Sequence, residues 1–276
     1  MPIKLIAIDV DGTLLNSRKE LTSATVEAIQ AAEAQGVHVC ICSGRPISDC
    51  REYIDRLPGM GYIVTCTGAQ VIDLQTGADI FRNALTADEL RMLYKIICRY
   101  DTFPDIFDDA GGVHNRASDL TMEVVRDAAM LDFLCRTHIA EEDLDAYVAN
   151  YSGLTNKIHM FFKDLSHKPK LRKELEALPY EIMESDFDDL EIMPFGVDKA
   201  VGLAKLAEHL GLKAEEVLAL GDGGNDAAML RWAGLGIAMK NASAEAKAAA
   251  DRISDHTNDE DGAAHMIWAL LKGELT

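Results

Sequence analysis

Short apolar runs alternate with helix-period segments at both ends of this chain, and acidic residues stand where several of those runs stop. The first run, Pro2-Ile3-Lys4-Leu5-Ile6-Ala7-Ile8, breaks into Asp9-Val10-Asp11-Gly12-Thr13. Behind a capping Thr22, Val26, Ile29 and Ala32 recur at helical spacing until Gly36 stops the segment. Val37 to Cys42 reads as a second strand, and Ser43-Gly44-Arg45-Pro46 turns the chain into a further helix. Tyr62 to Thr65 reads as a third strand. This βαβαβ order predicts a parallel sheet covered on both faces, a fold in which ligands collect beyond the carboxyl ends of the strands. Asp9 and Ser43 both fall at such ends.

The alternation resumes late in the sequence. Glu191-Ile192-Met193 is expected as a strand, Asp198 to Gly211 as a helix, Val217 to Leu220 as a strand, Ala227 to Ala233 as a helix and Gly236 to Ala238 as a strand. The Ala-rich Ala242 to Ala250 stretch and Asp259 to Leu271 complete the pattern as helices. Between the two halves the text changes character, with a helical run at Thr86 to Tyr100, two more at Ala140 to Asn150 and Leu165 to Leu178, and Lys157 to Phe162 as a strand between them. A chain of 276 residues is long for one core and short for three. The expected fold is therefore α/β, a Rossmann-like parallel-sheet core from residues 1–83 and 189–276, with an inserted α+β unit over 84–188.

Charge and cysteine content narrow the partners. Against 46 Asp and Glu there are only 27 Lys and Arg, a net charge of -19, and no run gathers the bases into a stripe. Such a surface argues against nucleic acid, and an anionic substrate would need a site inverted locally by a metal and a few bases. Cys40, Cys42, Cys50, Cys66, Cys98 and Cys135 lack metal-site spacing and read as buried, reduced thiols. With no signal-peptide order and no apolar run of membrane-spanning length, a cytoplasmic location away from membranes is expected. Either a monomer or a homo-oligomer is compatible with this text.

Two carboxylates held as close as Asp9 and Asp11 resist simultaneous ionisation, so they imply a cation, a shared proton, or both. A second acidic loop, Gly221-Asp222-Gly223-Gly224-Asn225-Asp226, follows the apolar Val217 to Leu220. Glycines let backbone approach a ligand closely, and oxygen donors without Cys or His suit Mg²⁺ rather than zinc. Lys199 offers a compact positive charge at the start of a helix. Each feature alone also reads as a turn, a cap or a solvated side chain. Four of them in one order, three directly after strands, do not.

These four motifs, Asp9-Val10-Asp11-Gly12-Thr13, Ser43-Gly44, Lys199 and the Gly221 to Asp226 loop, resemble those of the haloacid dehalogenase superfamily of phosphotransferases. The insert resembles the αβ cap of its Cof-type branch, and Met229-Leu230, Gly236 to Met239, Asn241-Ala242, Ala250-Asp251 and Glu260 to Ala263 are written in the same style. Cof-type sugar-phosphate phosphatases are the nearest match. The resemblance implies that Asp9 attacks phosphorus and becomes an aspartyl-phosphate, while Asp11 protonates the leaving alkoxide and then deprotonates water. It assigns Mg²⁺ to the Asp9 carboxylate, the Asp11 carbonyl and the Asp222 carboxylate, with Asp226 in support. Ser43, the Gly44 turn, the Gly12 amide and Asn225 would bind phosphoryl oxygens, and Lys199 would balance charge. The Asp9 charge is expected to raise the proton affinity of Asp11.

Several positions stay open at this level. Arg45 is either a phosphate contact or a helix-start residue paired with an acid. Thr67-Gly68-Ala69 stands where family members often carry Asn-Gly-Ala, and a substrate contact from this position stays open, since Thr keeps a hydroxyl but loses the amide. In the cap, His114, Asn115 and Arg116 could reach substrate, yet a Gly111-Gly112 hairpin turn explains that segment equally well. His159 reads as a buried histidine. The expected activity is Mg²⁺-dependent hydrolysis of a small phosphorylated metabolite, with a phosphohexomutase and a non-catalytic sugar-phosphate sensor as alternatives.

Overall fold

A computed structural model of the chain describes residues 2–116, 119–184 and 187–275. Contacts divide it into two units: one comprises residues up to Arg45, Cys50–Arg82 and Asp198 onward, the other Pro46–Asp49 and Asn83–Val197.

The first unit is built on an eight-stranded sheet. Its strands are β1 (Leu5–Ile8), β2 (His38–Cys42), β3 (Tyr62–Thr65), β4 (Gln70–Asp73), β5 (Asp79–Arg82), β12 (Val217–Gly221), β13 (Leu235–Ala238) and β14 (Arg252–Ile253). Their spatial order is β14-β13-β12-β1-β2-β3-β4-β5, parallel from β14 to β3 and antiparallel at β4 and β5. β1 is buried on both faces, as its unbroken apolar text requires. Leu5 and Ala7 join Leu203 and Leu206 of α7 (Lys199–His209) and Leu230 of α8 (Ala227–Trp232) in one cluster. Ile6 and Ile8 point to the opposite face, where α1 (Ser23–Ala34) packs on α10 (Gly262–Leu271). The Thr22 hydroxyl caps α1 by accepting from the Thr25 amide, as its position predicts.

The second unit holds a six-stranded sheet in the order β10-β11-β9-β6-β7-β8. These are β6 (Thr102–Asp108), β7 (Gly111–Asn115), β8 (Ile139–Glu141), β9 (Lys157–Phe162), β10 (Tyr180–Met183) and β11 (Asp189–Pro194). One face is apolar, with Ile106, Val113, Ile158, Met160 and Ile192 packed on α3 (Ala87–Ile97), α5 (Leu144–Asn150) and α6 (Lys168–Leu175). α3 starts at a complete capping box between Thr86 and Glu89. The other face carries buried charge: Asp105 is flanked in register by His114 on β7 and His159 on β9. His138, at the end of α4 (Ala128–Thr137), places Nδ1 2.7 Å from Asp105 and Nε2 2.9 Å from Asp49.

Three expectations change. The strand at Glu191 to Met193 exists, but it pairs antiparallel with β9 and β10 rather than joining the parallel sheet, and the units divide between Val197 and Asp198. A strand buried on both faces reads alike in either kind of sheet. Gly111 and Gly112 lie within β7 rather than in a turn, and a β-carbon on Gly112 would fall 2.3 Å from the His138 ring. Of the six free cysteines, Cys98 and Cys135 are exposed. Cys40 does fit the inert reading, since burial pushes its thiol up to about 12. No helix among the described residues is long and apolar enough to cross a membrane.

Candidate active site

The parallel register of β1 and β12 brings two acidic loops together. Ile8 pairs with Leu220, and the Asp9 amide donates to the Leu220 carbonyl at 3.0 Å, so Asp9 leaves the sheet beside Gly221-Asp222. Asp9, Asp222 and Asp226 each place an oxygen within 4.8 Å of the others, the one metal-capable group among the described residues. Two of the three are buried, Asp9 at 6 % exposure and Asp226 at 0 %.

Lys199 stands among them. Its Nζ lies 2.6 Å from Asp9 Oδ1 and 2.5 Å from Asp226 Oδ1, and the residue is wholly buried. It opens α7, where Asp198 caps by accepting from the Val201 amide. The first turn is a poor place for a cation, because unsatisfied amides give that end a positive potential. The two carboxylates more than compensate: burial opposes the Lys199 charge, but Asp226 and Asp9 hold its pKa above the usual lysine range. Even so, one ammonium cannot neutralise three carboxylates. Burial and the neighbouring Asp226 push Asp9 well up against the pull of Lys199, and burial pushes Asp222 up to about 6.

That excess of negative charge, on oxygen donors alone, fits a hard divalent cation. Asp226 has both oxygens engaged, Oδ1 by Lys199 and Oδ2 by the Asp222 and Gly223 amides at 2.9 and 2.8 Å. Asp222 Oδ1 accepts from the Thr13 hydroxyl at 2.9 Å. Gly12, at φ 78°, gives the approach its room, since no β-carbon fits between it and the Asp222 carboxylate.

Ser43 follows β2, the strand on the other side of β1, and is 1 % exposed. Its hydroxyl accepts from the Arg45 amide at 3.2 Å, which fixes the Ser43-Gly44-Arg45 turn. Arg45 stands just before the helix Ile47–Ile54 and pairs with an acid: Nε and a terminal nitrogen each contact Asp11 at 2.7 Å. Lys19 adds a third contact to Asp11 at 2.6 Å. Burial works to raise the Asp11 pKa, yet Arg45 and Lys19 bring it down to about 2, opposite to the direction expected from the sequence. The bases beside Asp11 outweigh the neighbouring Asp9. Asn225 lies half-buried in the helical turn Gly224–Asp226.

The structure thus brings Asp9, Asp222, Asp226 and Lys199 together at one point, and joins Asp11 to Arg45. In the second unit His114 is 1 % exposed against the Phe103 ring, Asn115 donates to Asp119 and Arg116 is exposed. Buried His159 contacts Asp189 at 3.0 Å. Residues that sequence reasoning gave no role include Thr13, Lys19 and Asn241, whose side-chain amide donates to the Gly12 carbonyl at 2.8 Å. Thr13 carried a signal in its place within the first motif and Asn241 one in the Asn241-Ala242 pair, whereas Lys19 carried none.

The family model for haloacid dehalogenase-like hydrolases matches residues 6–267. The chain is 34 % identical over 270 residues to the 5-amino-6-(5-phospho-D-ribitylamino)uracil phosphatase YcsE of Bacillus subtilis, covering 97 % of this chain and 96 % of that protein. A haloacid dehalogenase-like hydrolase from Bacteroides thetaiotaomicron superposes with a TM-score of 0.85 at 30 % identity, covering 97 % of this chain and 99 % of the other. The subclass IIB sugar phosphatase BT4131 superposes at 0.77 and 25 % identity, over 96 % and 98 % of the two chains. An α/β core with paired acidic loops and a buried lysine, matched by a family model along nearly its whole length, places this chain in the haloacid dehalogenase-like hydrolase family, as a phosphoric monoester hydrolase.

Proposed function

We propose that this phosphatase hydrolyses small phosphomonoesters, sugar phosphates foremost, through a phosphoryl group carried transiently by Asp9. The observation that supports this most is the pairing of Asp9 with Lys199 beside two further carboxylates. An ionised carboxylate is a competent nucleophile only if its charge is neither protonated away nor repelled by the incoming phosphate dianion. Lys199 serves both ends, favouring the ionised form of Asp9 against the burial and the Asp226 charge that oppose it, and offsetting charge as the phosphoryl group approaches. Mg²⁺, held by Asp9, Asp222 and the Asp11 carbonyl with Asp226 behind them, would supply further positive charge to the phosphoryl oxygens. Oxygen ligands alone favour it over softer ions.

In this reading Asp9 oxygen bonds to phosphorus as the ester oxygen leaves, and Asp11 gives that oxygen its proton. Asp11 then takes a proton from water, whose oxygen displaces Asp9 and releases inorganic phosphate. Ser43, the Gly12 and Gly44 backbone and Asn225 orient the phosphoryl oxygens. Arg45 joins them once it exchanges its pairing with Asp11 for the substrate. The second unit, built mainly from Asn83–Val197, would act as the cap that selects the rest of the substrate.

The sugar-phosphate preference draws on the likeness to BT4131, and the likeness to YcsE keeps a ribityl phosphate among the candidates. A panel of phosphorylated metabolites, scored by kcat/KM with and without Mg²⁺, tests the reading. Phosphate release from sugar phosphates that depends on Mg²⁺ supports it. Conversion of a hexose 1-phosphate to its 6-phosphate without free phosphate would instead make the protein a mutase.

A further inference from the structure

Immediately after β3, three consecutive residues adopt left-handed backbone: Cys66 at φ 49°, Thr67 at φ 57° and Gly68 at φ 94°. Only the glycine is suited to it. In that region a β-branched residue such as Thr67 is a genuine outlier, and such outliers persist where surrounding structure over-determines them. Here the surroundings are the Ser43–Arg45 turn and the start of the Lys199 helix. The Cys66 amide donates to the Arg45 carbonyl and the Thr67 amide to the Ser43 carbonyl, each at 3.0 Å, while the Ser43 amide donates back to Val64 at 2.9 Å. On the other side the turn abuts the helix that begins with Lys199. A β-carbon on Gly68 would fall 1.9 Å from the Asp198 carbonyl oxygen, and one on Gly202 would fall 2.8 Å from the Gly68 α-carbon.

We propose that Cys66–Gly68 is a positioning element that sets the phosphate-binding turn, and that residue 67 acts through its left-handed backbone rather than through its hydroxyl. The Ser43 carbonyl and the Gly44 N–H belong to one planar trans peptide and point in opposite directions, so tying the carbonyl to Thr67 fixes where that N–H is aimed. The same bond steadies the Ser43 main chain, from which the hydroxyl projects. The Thr67 side chain is 1 % exposed, and its Oγ1 has no hydrogen-bond partner among the described residues, so the ties between this turn and the Ser43 turn run through the backbone. The Thr in place of Asn noted in the sequence is then a matter of backbone preference, since Asn tolerates this region and Thr does not.

The inference rests on reading Ser43 as a phosphate ligand, so the test carries Ser43→Ala as a separate arm. Inhibition by inorganic phosphate, the Mg²⁺ concentration for half-activation and Tm are measured for Ser43→Ala, Thr67→Val, Thr67→Asn and Thr67→Pro. Ser43→Ala should raise the phosphate inhibition constant about tenfold, as expected for losing one hydrogen bond to a charged group. Thr67→Val, which keeps the branched shape and deletes the hydroxyl, should leave that constant within about twofold. Thr67→Asn should do the same while raising Tm by about 3 °C through relief of strain. Thr67→Pro, which cannot take positive φ and lacks the N–H that holds the Ser43 carbonyl, should raise the phosphate constant at least about fivefold with Mg²⁺ half-activation unchanged, a split that general loss of structure would not give. The inference is overturned if Thr67→Val weakens phosphate binding as much as Thr67→Pro does, or if Thr67→Asn lowers Tm. It is equally overturned if Thr67→Pro binds phosphate normally while Ser43→Ala does not. Normal phosphate binding by Ser43→Ala would remove the Ser43 reading itself.

Discussion

A β-carbon placed on Gly12 would lie 2.3 Å from Oδ2 of Asp222, so the first acidic loop can meet the second only because residue 12 has no side chain. Gly12→Ala must either push Asp222 aside or open the loop, and its φ of 78° adds a backbone penalty of about 1–2 kcal/mol. The expected result is a loss of kcat/KM of at least about a hundredfold with Mg²⁺ half-activation moved upward, since a small misplacement of a reacting group is enough. Steady-state kinetics over a Mg²⁺ titration check this; a variant with ordinary activation by Mg²⁺ would contradict it.

Lys199 is the counter-charge for a buried acidic group. Lys199→Met leaves Asp9 and Asp226 without their partner, and breaking a buried pair in this way destabilises by about 3–5 kcal/mol. Denaturant titration of this variant should show that loss, and turnover should disappear with it. Saturating Mg²⁺ should recover part of the stability and none of the turnover.

Asp11 is expected to act as acid toward the leaving group, although Arg45 and Lys19 hold its carboxyl near a pKa of about 2 in this arrangement. Proton donation requires that pairing to be exchanged when substrate arrives. Asp11→Asn should therefore lower kcat/KM for sugar phosphates by about 10²–10⁴-fold. The loss should be far smaller for p-nitrophenyl phosphate, whose leaving group needs no proton. Equal losses on the two substrates would remove Asp11 from the acid role.

The second unit predicts its own pH dependence. Burial works to lower the His138 pKa, but the Asp105 and Asp49 carboxylates overcome it and raise the imidazole from 6.5 to about 10. A base whose folded pKa lies above its unfolded value adds stability in full below the lower figure and loses it as pH rises through the higher one. Stability should thus decline from about pH 6.5 to pH 10. His138→Gln should flatten that slope in urea titrations at a series of pH values; an unchanged slope would rule out this source.

Much of the core was legible because its strands are uninterrupted apolar runs that end in carboxylates or a serine, as at Asp9, Ser43 and Asp222. The same property misled at β11, where Glu191-Ile192-Met193 is as buried as a parallel strand yet pairs antiparallel. The direction of the Asp11 shift was hidden because Lys19 and Arg45 reach it through loop folding, which spacing does not encode. Asn241 braces Gly12 from 229 residues away. Nothing in Cys66-Thr67 advertises a left-handed turn, since neither residue type favours one. Long-range contacts and local strain are consequences of packing rather than of period.

The most direct test follows the phosphoryl group itself. Enzyme mixed with a ³²P-labelled sugar phosphate and quenched in acid within a single turnover should carry label on the peptide that contains Asp9, and Asp9→Asn should carry none. A wild-type enzyme that releases phosphate with no labelled peptide at any time, or with label on another residue, would contradict the account.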